Sequence, residues 1–305
     1  MTSPYATPEG WAGWTQAARD AAYDNLAGVA DSAAQVANRN ALSEAFRAKH
    51  TGHLDLPFGS GAREQWDLYP AARADAPCLV FIHGGYWQRN RREDFAIMAE
   101  GALAAGWSVG ICGYTLAPEA SMTRIVGEIH AALDWLGAHG KAHGVAGKVV
   151  ASGWSAGGHL AALAAEHPLV VGALAMSGIY ELAPIAETNL NDKLHLTPAE
   201  IAAHSPIRRP VVQKPIAIAY GARELPELRR QSRVFHRHRA EAQAPGALIP
   251  VPEADHFRLL EALWRRDGVL LRAAAEVLAA AGSGFAAPPN KNGAGRPRAV
   301  LLFKG

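Results

Sequence analysis

A serine in a glycine-rich turn is the residue of this sequence best suited to nucleophilic chemistry. The segment Gly153–Gly157 reads GWSAG and places Ser155 between an apolar run and a stretch rich in alanine and leucine. A tight strand-to-helix turn would lift the hydroxyl above a sheet, and the flanking glycines give that turn the room it needs. The following helix N-terminus would stabilise developing negative charge. An ordinary glycine-rich turn is the alternative interpretation.

A second glycine pair could supply the groups that stabilise an oxyanion. The segment His83–Trp87 reads HGGYW and follows the apolar run Cys78–Ile82. Acyl transfer needs backbone N–H groups aimed at the developing negative charge, and adjacent glycines let the backbone approach a substrate oxygen closely. The candidate donors are the amides of Gly84, Gly85, Tyr86 and Ala156. His83 itself is better explained as a structural hydrogen-bonding residue than as a base.

Three aromatic residues in these two segments are candidates for a substrate pocket. They are Tyr86, Trp87 and Trp154. Large aromatic side chains are also common core residues, so packing is an equally good explanation for them.

A nucleophilic serine needs a general base and a group that orients that base. His256 follows the apolar run Leu248–Val251 and is the best base candidate. Glu224 comes shortly after the apolar run Ile216–Tyr220 and is the best acid candidate, with Glu227 as the alternative. These residues would give a triad of Ser155, Glu224 and His256 in chain order.

The elements that must position these residues alternate between strand and helix. Runs that are apolar at every position indicate strands covered on both faces, as in parallel sheets. Strands are predicted at 64–69, 78–82, 107–113, 149–152, 172–176, 216–220 and 247–251. Helices are predicted at 31–49, 92–105, 122–138, 157–166, 226–241 and 257–280. This alternation predicts an α/β fold with a mostly parallel central sheet and helices on both faces.

The organisation along the chain is predicted to be one catalytic domain, with additions at its ends and near the strand ends. The domain spans residues 1–281, of which 1–55 form a helical N-terminal arm or cap and 180–212 an inserted cap segment. Residues 282–305 are rich in glycine, proline and asparagine and carry lysine and arginine without acid, which predicts a flexible tail.

Composition narrows the classes of partner. Of the 305 residues, 49% are hydrophobic and 19% charged, with a formal net charge of +2, so no basic excess points to nucleic acid. No apolar run is long enough to span a membrane, and the N-terminus lacks the pattern of a secretory signal. Cys78 and Cys112 lie in apolar runs, as expected of free thiols in the cytoplasm. No metal or cofactor is expected. The nucleophilic serine and the glycine segments favour a small-molecule ester or amide as the partner, and a homodimer stays open.

The two glycine segments, together with Arg229–Ser232, resemble the kynurenine formamidase (arylformamidase) branch of the α/β-hydrolase fold. This resemblance rests on three segments: HGGYW at His83–Trp87, GWSAGGHL at Gly153–Leu160 and RRQS at Arg229–Ser232. This branch is close to the hormone-sensitive-lipase-like esterases, which have a third glycine where this chain has Tyr86. The resemblance covers roughly residues 20–280. Glutamate at the acid position departs from the aspartate of the best-known formamidases.

The resemblance implies a serine hydrolase that cleaves an amide or formamide bond of an arylamine through an acyl-enzyme, with N-formylkynurenine as the type of substrate. It implies Ser155 as nucleophile, His256 as base and Glu224 as acid. A carboxylesterase for short-chain esters is the first alternative. A non-catalytic binding protein built on the same fold is the second, although such proteins usually lose the serine or the histidine.

Overall fold

The apolar runs of the sequence become neighbouring strands of one sheet. The structure, a computed structural model, describes residues 7–282, and within them an eight-stranded sheet forms. Its strands are β1 (His53–Pro57), β2 (Gln65–Tyr69), β3 (Cys78–Ile82), β4 (Ser108–Cys112), β5 (Val149–Trp154), β6 (Val170–Met176), β7 (Ile216–Gly221) and β8 (Leu248–Val251). The spatial order is β1-β2-β4-β3-β5-β6-β7-β8.

Strands β3 to β8 run parallel, and β1 and β2 form an antiparallel edge. The prediction of a mostly parallel α/β sheet is therefore confirmed. The sequence analysis missed β1, which pairs with β2 at the edge of the sheet and has alternating exposed and half-buried positions. The chain passes from β3 to β4 on one side and then returns to β5 on the other. In open α/β sheets such a reversal opens a crevice at the carboxyl ends of the strands.

Helices cover both faces of the sheet. They are α1 (Gln16–Ala21), α2 (Ser32–Lys49), α3 (Ala99–Ala104), α4 (Met122–His139), α5 (Ala156–Ala164), α6 (Asn191–Leu194), α7 (Pro198–His204), α8 (Pro226–Glu241), α9 (Glu261–Trp264) and α10 (Val269–Gly282). Short 3₁₀ helices span Trp11–Gly13, Arg92–Met98, Gly140–His143, Ile185–Glu187, Pro206–Arg208 and Arg258–Leu260.

Strand β3 shows how the core is divided. All five of its residues are buried. Val80 and Ile82 belong to a cluster that includes residues of α4, α5 and α8, whereas Leu79 and Phe81 belong to a second cluster with residues of α2, α3 and α10. Alternate side chains of a strand point to opposite faces, so an uninterrupted apolar run builds both halves of the core.

Two predicted helices are interrupted in the structure. The predicted helix 92–105 begins as a 3₁₀ helix over Arg92–Met98 with a non-helical Phe95. There the carbonyl of Asp94 accepts hydrogen bonds from Ser43 and Arg39 of α2 at 2.9 and 3.1 Å, so part of this turn is held by tertiary contacts.

The predicted helix 257–280 is divided into a 3₁₀ turn, α9 and α10. The break before α10 contains Gly268, where a Cβ would lie 2.1 Å from the carbonyl oxygen of Ala262. The chain can approach itself this closely only at a glycine.

The N-terminal arm packs against the segment between β6 and β7. The Trp11 indole donates to Glu187 at 3.1 Å, Arg19 pairs with Glu187 at 2.7 Å, and the Asp20 carboxylate accepts from the Asn189 amide at 2.8 Å. Together these two stretches lie over the carboxyl ends of the strands. The predicted tail lies outside the described residues beyond Gly282. No helix within residues 7–282 is long and apolar enough to cross a membrane.

Candidate active site

Ser155 occupies a strained turn between β5 and α5. Its backbone has φ 59° and ψ −121°, a conformation that non-glycine residues rarely adopt. The turn is tight because a Cβ at Gly153 would lie 2.1 Å from the Gly157 carbonyl oxygen, and one at Gly157 would lie 2.0 Å from the Ile82 carbonyl oxygen. Both flanking glycines are therefore required by backbone contacts, and the serine is held at the N-terminus of α5.

The glycine pair after β3 lies directly against this turn. A Cβ at Gly84 would sit 2.5 Å from the Trp154 carbonyl oxygen and 2.9 Å from Ser155 Cβ. Gly85 has φ 121°, and Tyr86 has φ 50°. The Gly84 carbonyl accepts from the Asn90 side chain at 3.0 Å, which fixes the loop that carries these residues.

Several amides near Ser155 are free to bind a substrate oxygen. Within residues 7–282, the amides of Gly84, Gly85, Tyr86 and Ala156 donate to no protein acceptor. Ala156 is the first residue of α5, where helix amides lack intrahelical partners and the helix dipole favours negative charge. The two segments that meet at Ser155 therefore both carry amides without a protein partner.

His83 is a buried neutral residue at the start of this loop. Burial lowers the pKa of its imidazole to about 3, so the ring is uncharged near neutral pH. Its Nδ1 lies 2.9 Å from the Gly84 carbonyl oxygen, its ring stacks on Tyr114 at 4.4 Å, and the Tyr114 hydroxyl donates to its carbonyl at 3.0 Å. These contacts suit a residue that shapes the loop.

Glu224 and His256 meet beyond the ends of β7 and β8. The His256 Nδ1 lies 3.3 Å from Glu224 Oε2, and both side chains are buried. The other carboxylate oxygen, Oε1, accepts from the Gly221 amide at 2.6 Å and from the Ser177 hydroxyl. Because Oε1 already has two donors, Oε2 is left to orient the imidazole.

The alternative acid, Glu227, lies in a different contact network. Its carboxylate pairs with Arg230 at 2.8 Å and accepts from the Tyr23 hydroxyl at 3.2 Å. The structure therefore brings Glu224, and not Glu227, to the imidazole of His256.

The three predicted pocket aromatics have different positions. Trp154 borders the cavity described below, its ring lies 4.7 Å from that of His256, and its indole nitrogen donates to the His256 carbonyl at 2.8 Å. Tyr86 also borders this cavity. Trp87 does not: its side chain is fully buried and packs on His159 at 5.0 Å. Trp87 is therefore a core residue, as its alternative explanation held.

A cavity of about 770 Å³ opens next to Ser155 and His256. Its walls include residues of the loop Gly85–Asn90 and of the N-terminal arm from Ala17 to Ala27. Phe257 adds an apolar side. The charged side chains on its walls are Asp20, Asp24, Arg39 and Arg89.

The arm is joined to the loop through Tyr86. The Tyr86 hydroxyl donates to the Tyr23 carbonyl at 2.6 Å and accepts from the Asn25 side-chain amide at 3.0 Å. All three residues are buried. Sequence reasoning missed Tyr23, Asn25 and Ser177 as site residues, because each reaches the site through contacts with residues distant in the chain.

No group of three or more histidine, cysteine, aspartate or glutamate side chains that could hold a metal ion is found in the part of the chain that the structure describes.

Comparisons with a family model, with other sequences and with solved structures each find proteins similar to this chain. The BD-FAE family model matches residues 66–169. The kynurenine formamidase of Salmo salar is 30% identical over 228 residues, which cover 69% of this chain and 76% of that protein. The kynurenine formamidase of Danio rerio is 29% identical over 227 residues, with the same two coverages. The crystal structure of a candidate thioesterase from Silicibacter sp. tm1040 has a TM-score of 0.74 at 28% identity and covers 84% of this chain and 98% of that one.

Proposed function

Because this chain belongs to the kynurenine formamidase family of the α/β-hydrolase fold, close to the esterases, we propose that it cleaves the formamide of an N-formyl arylamine such as N-formylkynurenine. The chain is a hydrolase, and we assign the nucleophile to Ser155, the base to His256 and the acid to Glu224. The observation that carries this proposal is that Ser155 and His256 border one cavity while Glu224 contacts His256 from behind.

The first half of the reaction forms a formyl-enzyme. The Ser155 hydroxyl oxygen attacks the formyl carbon while His256 accepts the hydroxyl proton, and the carbonyl oxygen becomes an anion bound by nearby amides. The imidazolium then gives its proton to the amine nitrogen. The C–N bond breaks, the arylamine leaves, and the formyl group remains esterified to Ser155.

The second half hydrolyses that ester. Water attacks the formyl carbon as His256 takes one of its protons, and the anion returns to the same amides. Collapse releases formate and returns the proton to Ser155. Glu224 keeps the imidazole oriented through Nδ1 and stabilises its cation in both halves.

The cavity suits a zwitterionic aryl substrate. Its volume of about 770 Å³ lies in the usual range of roughly 300–1,000 Å³ for small-molecule sites. The α-carboxylate and α-ammonium of N-formylkynurenine need opposite charges, and the walls carry both signs. Arg89 makes no side-chain hydrogen bond or ion pair within residues 7–282, so its guanidinium is available for a carboxylate, and Asp24 is the matching anion for an ammonium group.

Two free, buried cysteines support a proposal for the cellular compartment in which the protein acts. Cys78 and Cys112 form no disulfide, and burial raises the pKa of the Cys78 thiol to about 12. Free thiols of this kind suit the reducing cytosol, which is where we propose that the protein acts.

A hydrolysis panel on the purified protein tests the substrate. It compares N-formylkynurenine, formanilide and p-nitrophenyl esters of increasing chain length, with Ser155→Ala as the control. We expect the highest kcat/KM for N-formylkynurenine and loss of turnover by several orders of magnitude in Ser155→Ala. Turnover of short esters alone would make the protein an esterase with the same residues. Unchanged turnover in Ser155→Ala would overturn the assignment of the nucleophile.

A further inference from the structure

The peptide group between Gly84 and Gly85 has a direction fixed by two hydrogen bonds. Its carbonyl oxygen accepts from the Asn90 side-chain nitrogen at 3.0 Å and from His83 Nδ1 at 2.9 Å. The peptide bond is trans, and in a trans peptide group the C=O and the following N–H point in opposite directions. The Gly85 N–H therefore points away from the Asn90 side chain.

The next peptide group along the loop is held in the same way. The Gly85 carbonyl accepts from the amides of Gln88 and Arg89 at 3.0 and 3.1 Å, so the Tyr86 N–H points away from that turn. Neither the Gly85 N–H nor the Tyr86 N–H donates to an acceptor in the described part of the chain. Both residues border the cavity beside Ser155. The loop thus carries two consecutive backbone donors that no protein atom uses.

Glycine on both sides makes the first of these peptide groups easy to rotate. Rotation changes ψ of Gly84 and φ of Gly85, and glycine adopts positive and negative φ about equally readily. A rotated group would turn the Gly84 carbonyl to where the Gly85 N–H now points, so an acceptor would replace a donor. The two glycines do not choose between these arrangements, whereas the hydrogen bonds to the Gly84 carbonyl do.

We propose that Asn90 is a positioning residue of the oxyanion hole: its side-chain amide holds the Gly84 carbonyl and so keeps the Gly85 N–H available to the anion that develops on the substrate. This inference rests on the proposed function, since it takes the Gly85 amide as one donor to that anion. Asn90 also suits its own backbone, whose φ of 73° is adopted more readily by asparagine than by most residues. Its backbone carbonyl accepts from the Arg63 guanidinium, so the residue is held at both its backbone and its side chain.

Two substitutions of Asn90 separate this role from simple support of the loop. Asn90→Gly removes the side chain and keeps a residue that tolerates positive φ. Asn90→Asp keeps the shape but replaces the donating nitrogen by an acceptor oxygen, which repels the Gly84 carbonyl and can accept from the Gly85 N–H once the peptide group rotates. If Asn90 only filled space, Asn90→Asp would be the milder change. If it sets the direction of the peptide group, Asn90→Asp is the more harmful.

The measurements are kcat and KM for N-formylkynurenine and Ki for phenylboronic acid, which forms a tetrahedral adduct with a nucleophilic serine. We expect kcat to fall about 10- to 100-fold in Asn90→Gly and about 10²- to 10³-fold in Asn90→Asp, with KM within about threefold of wild type. Ki should rise in the same order as kcat falls, because an oxygen of the adduct occupies the oxyanion hole. Asn38→Asp, the same change at an exposed position on α2, is the matched control and should alter none of the three constants.

A loss of kcat in Asn90→Asp equal to or smaller than that in Asn90→Gly would overturn the inference, as would a rise in KM with kcat and Ki unchanged. If thermal melting shows that Asn90→Gly is unfolded, Asn90→Asp against Asn38→Asp carries the test, and an unchanged kcat in Asn90→Asp then overturns it. Wild-type protein that hydrolyses p-nitrophenyl acetate and leaves N-formylkynurenine intact would instead refute the proposed function. The variants of Asn90 would then be compared on that ester, whose attack by serine also forms an oxyanion, so the two failures are distinct.

Discussion

The indole nitrogen of Trp154 donates a hydrogen bond of 2.8 Å to the backbone carbonyl of His256, so the residue before the proposed nucleophile holds the loop of the proposed base. The two rings also lie 4.7 Å apart at an interplanar angle of 37°. Two residues from different strand ends are thereby fixed relative to each other by a buried contact. The distance between nucleophile and base then depends on Trp154 as well as on the sheet.

Replacing this indole should therefore impair turnover more than folding. We expect Trp154→Phe to lower kcat about tenfold, because loss of the N–H frees the His256 loop, and to lower the free energy of unfolding by about 1–2 kcal/mol. Steady-state kinetics and urea unfolding measure the two effects. Trp135→Phe, at a half-buried position on α4, is the control and should leave kcat unchanged. An unaltered kcat in Trp154→Phe would contradict this positioning role.

The two glutamates of the Gly221–Glu227 segment should respond differently to neutralisation. Glu224→Gln replaces the carboxylate that faces His256 Nδ1, so we expect kcat to fall by about 10³- to 10⁴-fold with little change in KM. Glu227→Gln weakens the contacts with Arg230 and Tyr23, so it should lower stability by about 1–3 kcal/mol and kcat by less than about tenfold. Kinetics at saturating substrate separate the two, and the reverse ranking would transfer the role of acid to Glu227.

Arg89 should determine affinity for substrates that carry a carboxylate. We expect Arg89→Gln to raise KM for N-formylkynurenine by about tenfold, through loss of a charge-assisted hydrogen bond, and to leave kcat nearly unchanged. Formanilide has no carboxylate, so its kcat/KM should be the same in both proteins. An equal loss on formanilide would show that Arg89 acts on the Gly85–Asn90 loop and not on the substrate.

Acid should unfold this protein in part through two buried histidines. Burial lowers the pKa of His83 and of His159 to about 3, whereas a histidine in the unfolded chain titrates near 6.5. Between these values the unfolded chain binds protons that the folded protein does not, so stability falls as the pH falls. Each histidine should contribute about 1.4 kcal/mol per pH unit below about pH 6.

Urea unfolding at pH 7, 6 and 5 measures this slope. His159→Gln should reduce the loss of stability per pH unit by the contribution of one histidine, whatever its effect on stability at pH 7. His139→Gln, at an exposed position on α4, should keep the wild-type slope. Identical slopes in His159→Gln and wild type would mean that His159 is not neutral in the folded protein.

The sequence predicts the central strands and the long surface helix well. The bounds of β3 and α8 agree with those predicted, because an uninterrupted apolar run specifies a buried strand and Pro226 favours a helix start. Ser155, Glu224 and His256 are proposed from local signals, since each comes shortly after a strand, and their catalytic roles stay predictions. These features depend on residues that are close together in the chain.

Features that depend on distant contacts could not be predicted. Strand β1 is short and pairs with β2 at the edge of the sheet, and the break before α10 follows from the close approach of Gly268 to Ala262. Asn25 and Ser177 look unremarkable in the sequence. Their importance comes from partners 61 and 47 residues away.

Because the N-terminal arm forms part of the cavity wall, substrate selection and bond breaking depend on different parts of the chain. The groups proposed to break the bond follow strands in the middle and C-terminal parts, whereas ten of the twenty residues that border the cavity lie before residue 40. Changes in that early stretch can redirect substrate preference without altering the sheet or the nucleophile. Relatives that share the Ser155 turn and differ in the arm should therefore act on different substrates, so sequence divergence in the arm would be the better guide to substrate range.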